Sequence, residues 1–343
     1  MNIGIIAPLS IAAVNGGVRT QAVMTAKHLE KLGVNVSLIS PWDDLNSMEF
    51  DLYHVFAAST ETAGIVSRLF EQRKKIVLSP VTYSNRSVST IQKLLMVEKQ
   101  LKKITRGFST ELSIKREICL KADILLPNTS KEALLINKGF KISDQKITIV
   151  PNGVESRFKD AIPSSFMEKH AKEDFVLFAG QASAPRKNVS KLIQAFNNID
   201  AELVIVGDFD SSTYSLECLK MAKKNNRIKL IPTLPHDSDL LASAYAACKV
   251  FVLPSQYETP GIAAMEAALT GANIVITEVG GTKDYFNGFA DYINPSSVMS
   301  IENNIEKALK RPKTNLLKDH ILINFTWNKV AEQTLTQYKK VLV

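Results

Sequence analysis

The sequence predicts an α/β protein of two doubly wound, Rossmann-like halves, on three observations. Short β-rich apolar runs alternate with helix-period segments along the whole chain, which is the pattern of βαβ units and parallel sheets. The length of 343 residues exceeds the roughly 250–300 at which a single core stops growing. Near the middle, Pro151-Asn152-Gly153 interrupts the alternation just after an expected strand, and a polar, irregular stretch follows. The expected domains are residues 1–152 and 153–325, with a helical tail over 326–343 that crosses back to the first.

In the first half the strand-like runs are Asn2 to Ala7, Val34 to Ser40, Leu52 to Phe56, Lys75 to Ser79, Asp123 to Pro127 and Ile147 to Val150. In the second they are Phe175 to Ala179, Glu202 to Val206, Ile228 to Ile231, Val250 to Leu253 and Ile274 to Thr277. Each is short, apolar and bounded by turn residues, as strands buried on both faces should be. Between the first two lies a helix whose Val18, Ala22, Ala26, Leu29 and Leu32 share one face. The start, Met1-Asn2-Ile3-Gly4-Ile5-Ile6-Ala7-Pro8, has no basic n-region and reads as a strand rather than a signal peptide. No apolar run approaches the ~18–20 residues of a membrane helix, so a cytoplasmic protein is expected.

Hydrophobic residues make up 45% and charged residues 22% of the chain, which excludes a disordered or low-complexity class. Cys119, Cys218 and Cys248 are odd in number and show no C-x-x-C spacing, and the five histidines show no H-x-x-x-H or H-E-x-x-H arrangement. Neither a disulfide framework nor a metal site is expected, and no cofactor is implied.

The formal charge is +8, from 42 Lys plus Arg against 34 Asp plus Glu. Residues 1–150 carry 20 basic against 13 acidic side chains, whereas residues 151–343 carry 22 against 21. Between Arg86 and Lys121 the net is +6, from residues that include Lys93, Lys99, Lys102, Lys103 and Arg106. Ile91, Leu94, Leu95, Leu101 and Ile104 stand at helical spacing among them. Two readings remain open for residues 86–121: a solvated helix packed on a core, or one that meets an anionic membrane surface or lipid phosphate. Nucleic acid is not expected, because no aromatic residues interleave the charges.

In open α/β sheets ligands bind beyond the carboxyl ends of the strands, so the segments that follow the strands carry the functional reading. After Val250 to Leu253 comes Pro254-Ser255-Gln256-Tyr257-Glu258-Thr259-Pro260-Gly261-Ile262-Ala263-Ala264-Met265-Glu266. Thr259 suits an N-cap and Pro260 a first helical position, so a helix is expected from there to about Gly271. Its N-terminus would offer amides to phosphate or sugar oxygens. Glu258 and Glu266 would lie roughly 9 Å apart along the rise. That is too far for a shared proton but suitable for hydroxyl groups at two ends of one polyhydroxylated ligand.

These residues resemble the E-x(7)-E signature of retaining GT-B glycosyltransferases of family 4, the glycosyl transferases group 1. Further matching parts are Gly16-Gly17, Ala122-Asp123-Ile124-Leu125-Leu126-Pro127-Asn128, Val150-Pro151-Asn152-Gly153-Val154, Val204-Ile205-Val206-Gly207-Asp208 and Gly280-Gly281-Thr282. The resemblance implies the GT-B fold, two Rossmann-like domains facing across a cleft, the first binding acceptor and the second the nucleotide-sugar donor. It implies that Glu258 contacts the transferred sugar, that Glu266 holds the ribose, and that Thr259, Pro260, Gly261 and Ile262 surround sugar and phosphate. Gly16 and Gly17 would close on the diphosphate, with a structural tight turn as the alternative, and backbone at Pro232 and Leu234 would read the base. Lys187, in the loop Gly180 to Asn188, matches a family lysine whose charge can stabilise a departing diphosphate.

Two departures stand out. Gln181 follows Gly180 where the family usually has arginine, and Arg186 is the nearby candidate to replace it. After Ser79 the chain has Pro80-Val81-Thr82-Tyr83 and no histidine, leaving Thr82 or a backbone group for that position; His54 is read as a core or edge histidine. The expected activity is retaining, metal-independent transfer of a hexose-type sugar from a UDP- or GDP-sugar to a glycan or lipid-linked acceptor, in bacterial cell-surface polysaccharide or lipopolysaccharide synthesis. The cytoplasmic enzyme would be peripheral at the inner membrane face. A non-catalytic nucleotide-sugar-binding component of a glycan assembly complex, or a nucleotide-sugar epimerase of the same fold, are the alternatives.

Overall fold

All strand pairings in the two sheets of the computed structural model are parallel among the residues described, 1–13, 16–104, 109–170 and 174–343. The chain divides into two units: Met1–Gly153 with Trp327–Val343, and Val154–Thr326.

The first unit holds β1 (Asn2–Ile6), α1 (Gly17–Lys31), β2 (Asn35–Leu38), β3 (Leu52–Phe56), α2 (Thr60–Glu71), β4 (Ile76–Ser79), α3 (Val88–Leu101), α4 (Glu111–Lys121), β5 (Ile124–Leu125) and α5 (Ser130–Leu134). The sheet order is β2-β1-β3-β4-β5, which reverses direction at β1 and β3 as doubly wound sheets do. One face packs Ile3, Ile5, Leu52 and Phe56 against Ala22, Ala26 and Leu29 of α1 and against Trp327, Ala331 and Tyr338 of the C-terminal helix. The other packs Val55 and Leu78 against Val66 and Leu69 of α2 and Ile118 of α4. Strand β3 is buried along its whole length, which explains why it is apolar apart from His54.

The second unit holds α6 (Ser164–Lys169), β6 (Val176–Ala179), α7 (Val189–Ala195), β7 (Leu203–Val206), α8 (Thr213–Ala222), β8 (Ile228–Ile231), α9 (Asp239–Ala247), β9 (Val250–Leu253), α10 (Ile262–Leu269), β10 (Asn273–Thr277), α11 (Thr282–Phe286), β11 (Asp291–Ile293), α12 (Val298–Lys310) and α13 (Leu316–Asn324). The order is β11-β10-β9-β6-β7-β8. The last helix, α14 (Trp327–Leu342), belongs to the first unit. A Cβ at Gly153 would lie 2.5 Å from the Trp327 ring, so only glycine lets the outgoing chain pass the returning one.

Four expectations are corrected. Ile147 to Val150 is not a strand: it makes one isolated parallel bridge, Leu125 with Ile147. Pro127 follows β5 without an N–H, so the ladder lacks a donor there, although the N–H groups of Thr148 and Val150 still donate to the carbonyls of Leu125 and Pro127. The chain adds β11, whose three residues are too short for an alternation signal to be read. The helix expected from Thr259 and Pro260 begins at Ile262 instead, because Gly261 takes a left-handed backbone with φ 78°. The apolar positions of α3 do not form one packed stripe: Ile91 is buried, but Leu94, Val97 and Leu101 are exposed, as is Ile104 beyond the helix.

His54 sits wholly buried on β3. Its Nδ1 is 2.6 Å from the Tyr338 hydroxyl of α14, and its Nε2 is 2.9 Å from Ser79 Oγ on β4. Burial disfavours the imidazolium and pushes its pKa down to about 3. The unfolded chain therefore binds this proton more readily than the folded one between pH 6.5 and about 3. Stability is present above 6.5 and lost as pH falls. In denaturant titrations the unfolding free energy should drop by about 1.4 kcal/mol per pH unit below 6.5 from this residue. His54→Gln should flatten that limb, and an unchanged slope would count against the assignment.

Candidate functional site

The carboxyl ends of β6 and β9, neighbours in the second sheet, carry a cluster of polar side chains. After β6, Pro185–Lys187 forms a single 3-10 turn. Asn188 follows in a left-handed conformation at φ 59°, which asparagine tolerates better than most residues. Its buried amide donates to the carbonyls of Pro254 and Pro295, at 3.0 and 2.8 Å, and so pins the turn to the segment after β9.

That turn delivers two cations to one buried carboxylate. Lys187 Nζ lies 2.7 Å and Arg186 NH1 3.4 Å from Glu258 Oε1, and the Ser255 hydroxyl donates to the same oxygen at 2.7 Å. Arg186 also donates to the Tyr257 carbonyl, and its guanidinium stands 5.2 Å from the Tyr257 ring centre. Burial alone would raise the Glu258 carboxyl, but Lys187, Arg186 and Ser255 outweigh it and hold the pKa below the usual carboxylate range. Arg186 thus stands beside Lys187 at the site, while Gln181 and Gly180 are exposed at the end of β6.

Backbone seats Glu258 equally firmly. Its N–H donates to Val279 and its carbonyl accepts from Gly281, making a bridge with Gly280. A Cβ at Gly280 would fall 1.9 Å from the Glu258 carbonyl oxygen, and φ there is +106°. Thr259, Pro260 and Gly261 lead from Glu258 into α10. Gly261 takes φ 78°, and a Cβ on it would press within 3.0 Å of Ile276. At the start of α10 the Ala264 N–H donates to the Gly261 carbonyl at 2.9 Å, and the first N–H groups, beginning at Ile262, carry the positive end of the helix dipole.

Glu266, one turn along α10, is 3% exposed. Its Oε1 is 2.7 Å from His236 Nε2, and its Oε2 accepts from the buried Tyr245 hydroxyl at 3.0 Å. It is therefore neither a surface residue nor a lysine partner. The hydrogen bond to Glu266 raises the His236 pKa, against the opposing effect of burial, and the charges of Glu266 and Glu155 add to the rise. Arg157 bonds the His236 carbonyl, and its guanidinium stacks on Phe158. Pro232 is exposed beyond β8, Leu234 packs partly against the core, and Thr233 and Asp208 exchange hydrogen bonds that join the loops after β7 and β8.

In the first unit Gly16 caps α1 with an extended backbone, and a Cβ on Gly17 would meet nothing within 4 Å. Neither feature demands glycine for a tight turn. Thr82 is buried, and its N–H donates to Glu132. Lys93, Lys99 and Lys103 are exposed on and after α3, whereas Lys102 is engaged by Glu98 and Glu117 at 3.3 and 3.4 Å. Arg106 lies outside the described residues.

Sequence reasoning did not single out Ser255, Tyr245, Asn188 or Glu132. Their signals are hydrogen bonds to residues three to 107 positions away, which no local pattern displays. Of the described residues, no group of three or more His, Cys, Asp or Glu is arranged to hold a metal ion.

Residues 164–320 match the family model of the glycosyl transferases group 1, rather less than half of the chain. An uncharacterised glycosyltransferase of Methanocaldococcus jannaschii is 26% identical over 222 residues, covering 58% of this chain and 55% of that protein. The chain thus spans about half the length of that relative. A sucrose-phosphate synthase of Thermosynechococcus elongatus superposes with a TM-score of 0.77 at 18% identity, over 99% of this chain and 98% of the other. Anabaena HepE, solved with UDP, gives 0.76 at 14% identity, over 99% and 100%. The fold is GT-B, and the sequence likeness to glycosyltransferases supports an enzyme of that class.

Gly280→Ala should cost roughly 3 kcal/mol of stability, because backbone rather than a side chain blocks the new methyl. Gly271→Ala, at φ +84° with nothing within 4 Å, should cost only the left-handed penalty of about 1 kcal/mol. Equal losses in thermal unfolding would contradict the close approach.

Proposed function

We propose that this protein transfers a sugar from a nucleoside diphosphate donor to an acceptor hydroxyl. Fold alone does not imply function, so the reading rests on the site. The observation that carries it is the convergence of Lys187, Arg186 and Ser255 on buried Glu258, next to the N-terminus of α10. A carboxylate held ionised there accepts hydrogen bonds from sugar hydroxyls. The two cations and the α10 amides meet the charge that develops on a departing diphosphate. Glu266 is the acceptor for the ribose hydroxyls; to reach it they displace His236, the more exposed of its two partners. Backbone at Pro232 and Leu234 faces the base. UDP is the nucleotide favoured, by likeness to HepE.

Within this reading the transfer retains anomeric configuration, as in family 4, and needs no metal, since the chain brings its own cations. The sugar is a hexose and the acceptor a glycan or lipid-linked glycan of a cell-surface polysaccharide or lipopolysaccharide. Residues 1–152, within the first unit, bind that acceptor, and residues 153–325 bind the donor. Gly16 and Gly17 serve the diphosphate; the open space around a Cβ at Gly17 and the extended backbone of Gly16 support this over a structural tight turn.

Glu258→Ala should lower kcat/KM for transfer at least about 100-fold while UDP still raises the thermal midpoint. Undiminished transfer would remove the central claim. UDP binding by the wild-type chain without transfer or donor hydrolysis would instead mark a non-catalytic nucleotide-sugar-binding protein.

The exposed Leu94, Val97, Leu101 and Ile104, set among Lys93, Lys99 and Lys103, support a peripheral site on an anionic cytoplasmic membrane face. No helix among the described residues is long and apolar enough to cross a membrane. Flotation should recover the protein with vesicles containing anionic lipid and not with neutral ones, and Lys93, Lys99 and Lys103 changed together to Glu should abolish recovery. Equal recovery with both vesicle types would exclude this surface.

A further inference from the structure

The first unit buries a carboxylate that the proposed reaction does not use. Glu132 lies in the first turn of α5 and is 3% exposed. Its own N–H donates to the Thr129 hydroxyl, the N-cap, at 3.1 Å, which is half of a capping box. The reciprocal half is missing, because the carboxylate is turned to two other backbone groups. Oε2 accepts from the N–H of Asn128, after β5, at 2.7 Å, and Oε1 accepts from the N–H of Thr82, after β4, at 2.6 Å.

The second bond falls on a strained segment. Val81, immediately before Thr82, has φ +46°. A β-branched residue pays roughly 1–2 kcal/mol or more there and stays only where its surroundings over-determine it. From the other side, the buried Asn128 and Gln21 side chains pair at 2.8 and 3.4 Å, tying the same network to α1. Glu132 thus joins segments that follow β4 and β5 at the carboxyl end of the first sheet. Residues Thr82, Tyr83, Ser84 and Arg86 of the braced segment line a cavity of about 520 Å³ together with Leu94 and Lys115.

We propose that Glu132 is a positioning residue of the acceptor side, its carboxylate clamping the strained Val81–Thr82 turn so that residues 82–86 keep the shape of their cavity. The inference rests on the first unit being the acceptor-binding one. Carboxylate-to-amide hydrogen bonds of this kind are charge-assisted, so the clamp is strong only while Glu132 is ionised. Burial pushes its pKa up to about 7, the two N–H groups acting to lower it.

The groups facing Glu132 leave that titration to Glu132 itself. From α4 comes the Cys119 thiol, raised above its ordinary value by burial first and then by the Glu132 charge, so that it stays neutral; Lys115 opposes that rise and is itself paired with Glu111. The β4 and β5 loops present Thr82 and Asn128, and α1 presents Gln21, none of which titrates. The folded pKa lies above the unfolded one, so protonation of this residue stabilises the folded chain as pH falls from 7 towards 4.5. Loss of acceptor affinity over that range therefore cannot be unfolding driven by Glu132.

The test uses the full chain. Glu132→Gln keeps the volume but sets an amide NH2 against one of the two N–H donors. It should raise the acceptor KM about 10-fold at pH 8, the scale of a lost charged hydrogen bond, with donor KM and the UDP-induced thermal shift unchanged. Wild-type acceptor KM should rise as pH falls from 8 to 6, and the variant should lack that limb. Adding Val81→Gly, which removes the strain, should recover part of the loss. Independently of activity, amide exchange at Thr82 and Asn128 in the wild-type chain, corrected for intrinsic rates, should lose protection between pH 8 and 6. If that protection does not change with pH, or if Glu132→Gln leaves acceptor KM untouched, the clamp is overturned. A complete absence of transfer with intact, pH-dependent protection would sink the proposed activity and the acceptor role while leaving the loop clamp standing.

Discussion

A carboxylate can be taken out of water only where donors converge on it, and that constraint organises the functional ends of both sheets. Glu258, Glu266 and Glu132 are each less than a tenth exposed. Glu258 is met by a lysine, an arginine and a serine, Glu266 by a histidine and a tyrosine, and Glu132 by two backbone amides. Unpaired, each would cost several kcal/mol or take up a proton.

Satisfying Glu258 dictates the backbone around it. Lys187 and Arg186 must come from the loop after β6, which explains the left-handed Asn188 and its two carbonyl partners. The chain at Gly280 must pass close enough to share hydrogen bonds with Glu258, and this leaves no room for a side chain. Gly207 meets the same limit, since a Cβ there would stand 2.2 Å from the Gly180 carbonyl. The glycines in these motifs therefore record close approaches of backbone to backbone. Gly17 faces no such demand, which separates it from these structural glycines.

The three carboxylates also differ in what can change them. Glu258 is locked ionised by fixed cations. Glu266 faces a half-exposed imidazole whose own charge depends on pH. Glu132 has amides alone and a pKa pushed to about 7. The same residue type thus meets fixed cations, a pH-dependent imidazole or backbone amides alone, according to the partners that the fold supplies.

The strands buried on both faces, such as Val176–Ala179 and Val250–Leu253, were legible because their apolar content is local and continuous. The alternation of β and α elements into two doubly wound halves was determined by the sequence itself, through hydrophobic period, turn residues and chain length, whereas GT-B was implied by the resemblance of its motifs to a family. Short or edge elements were not: β11 has three residues, and the segment at Ile147 reads as a strand although it makes one bridge. Thr259-Pro260 carries a strong local helix signal, but α10 starts only after the left-handed turn at Gly261, where a Cβ would press on Ile276. The partners of the buried carboxylates were decided only by tertiary structure. Arg186 and Lys187 stand 71 or 72 positions from Glu258, Thr82 is 50 from Glu132, and Tyr338 is 284 from His54. Local sequence shows which groups need a partner; it takes the folded chain, bringing distant segments within hydrogen-bonding distance, to decide which partner each one receives.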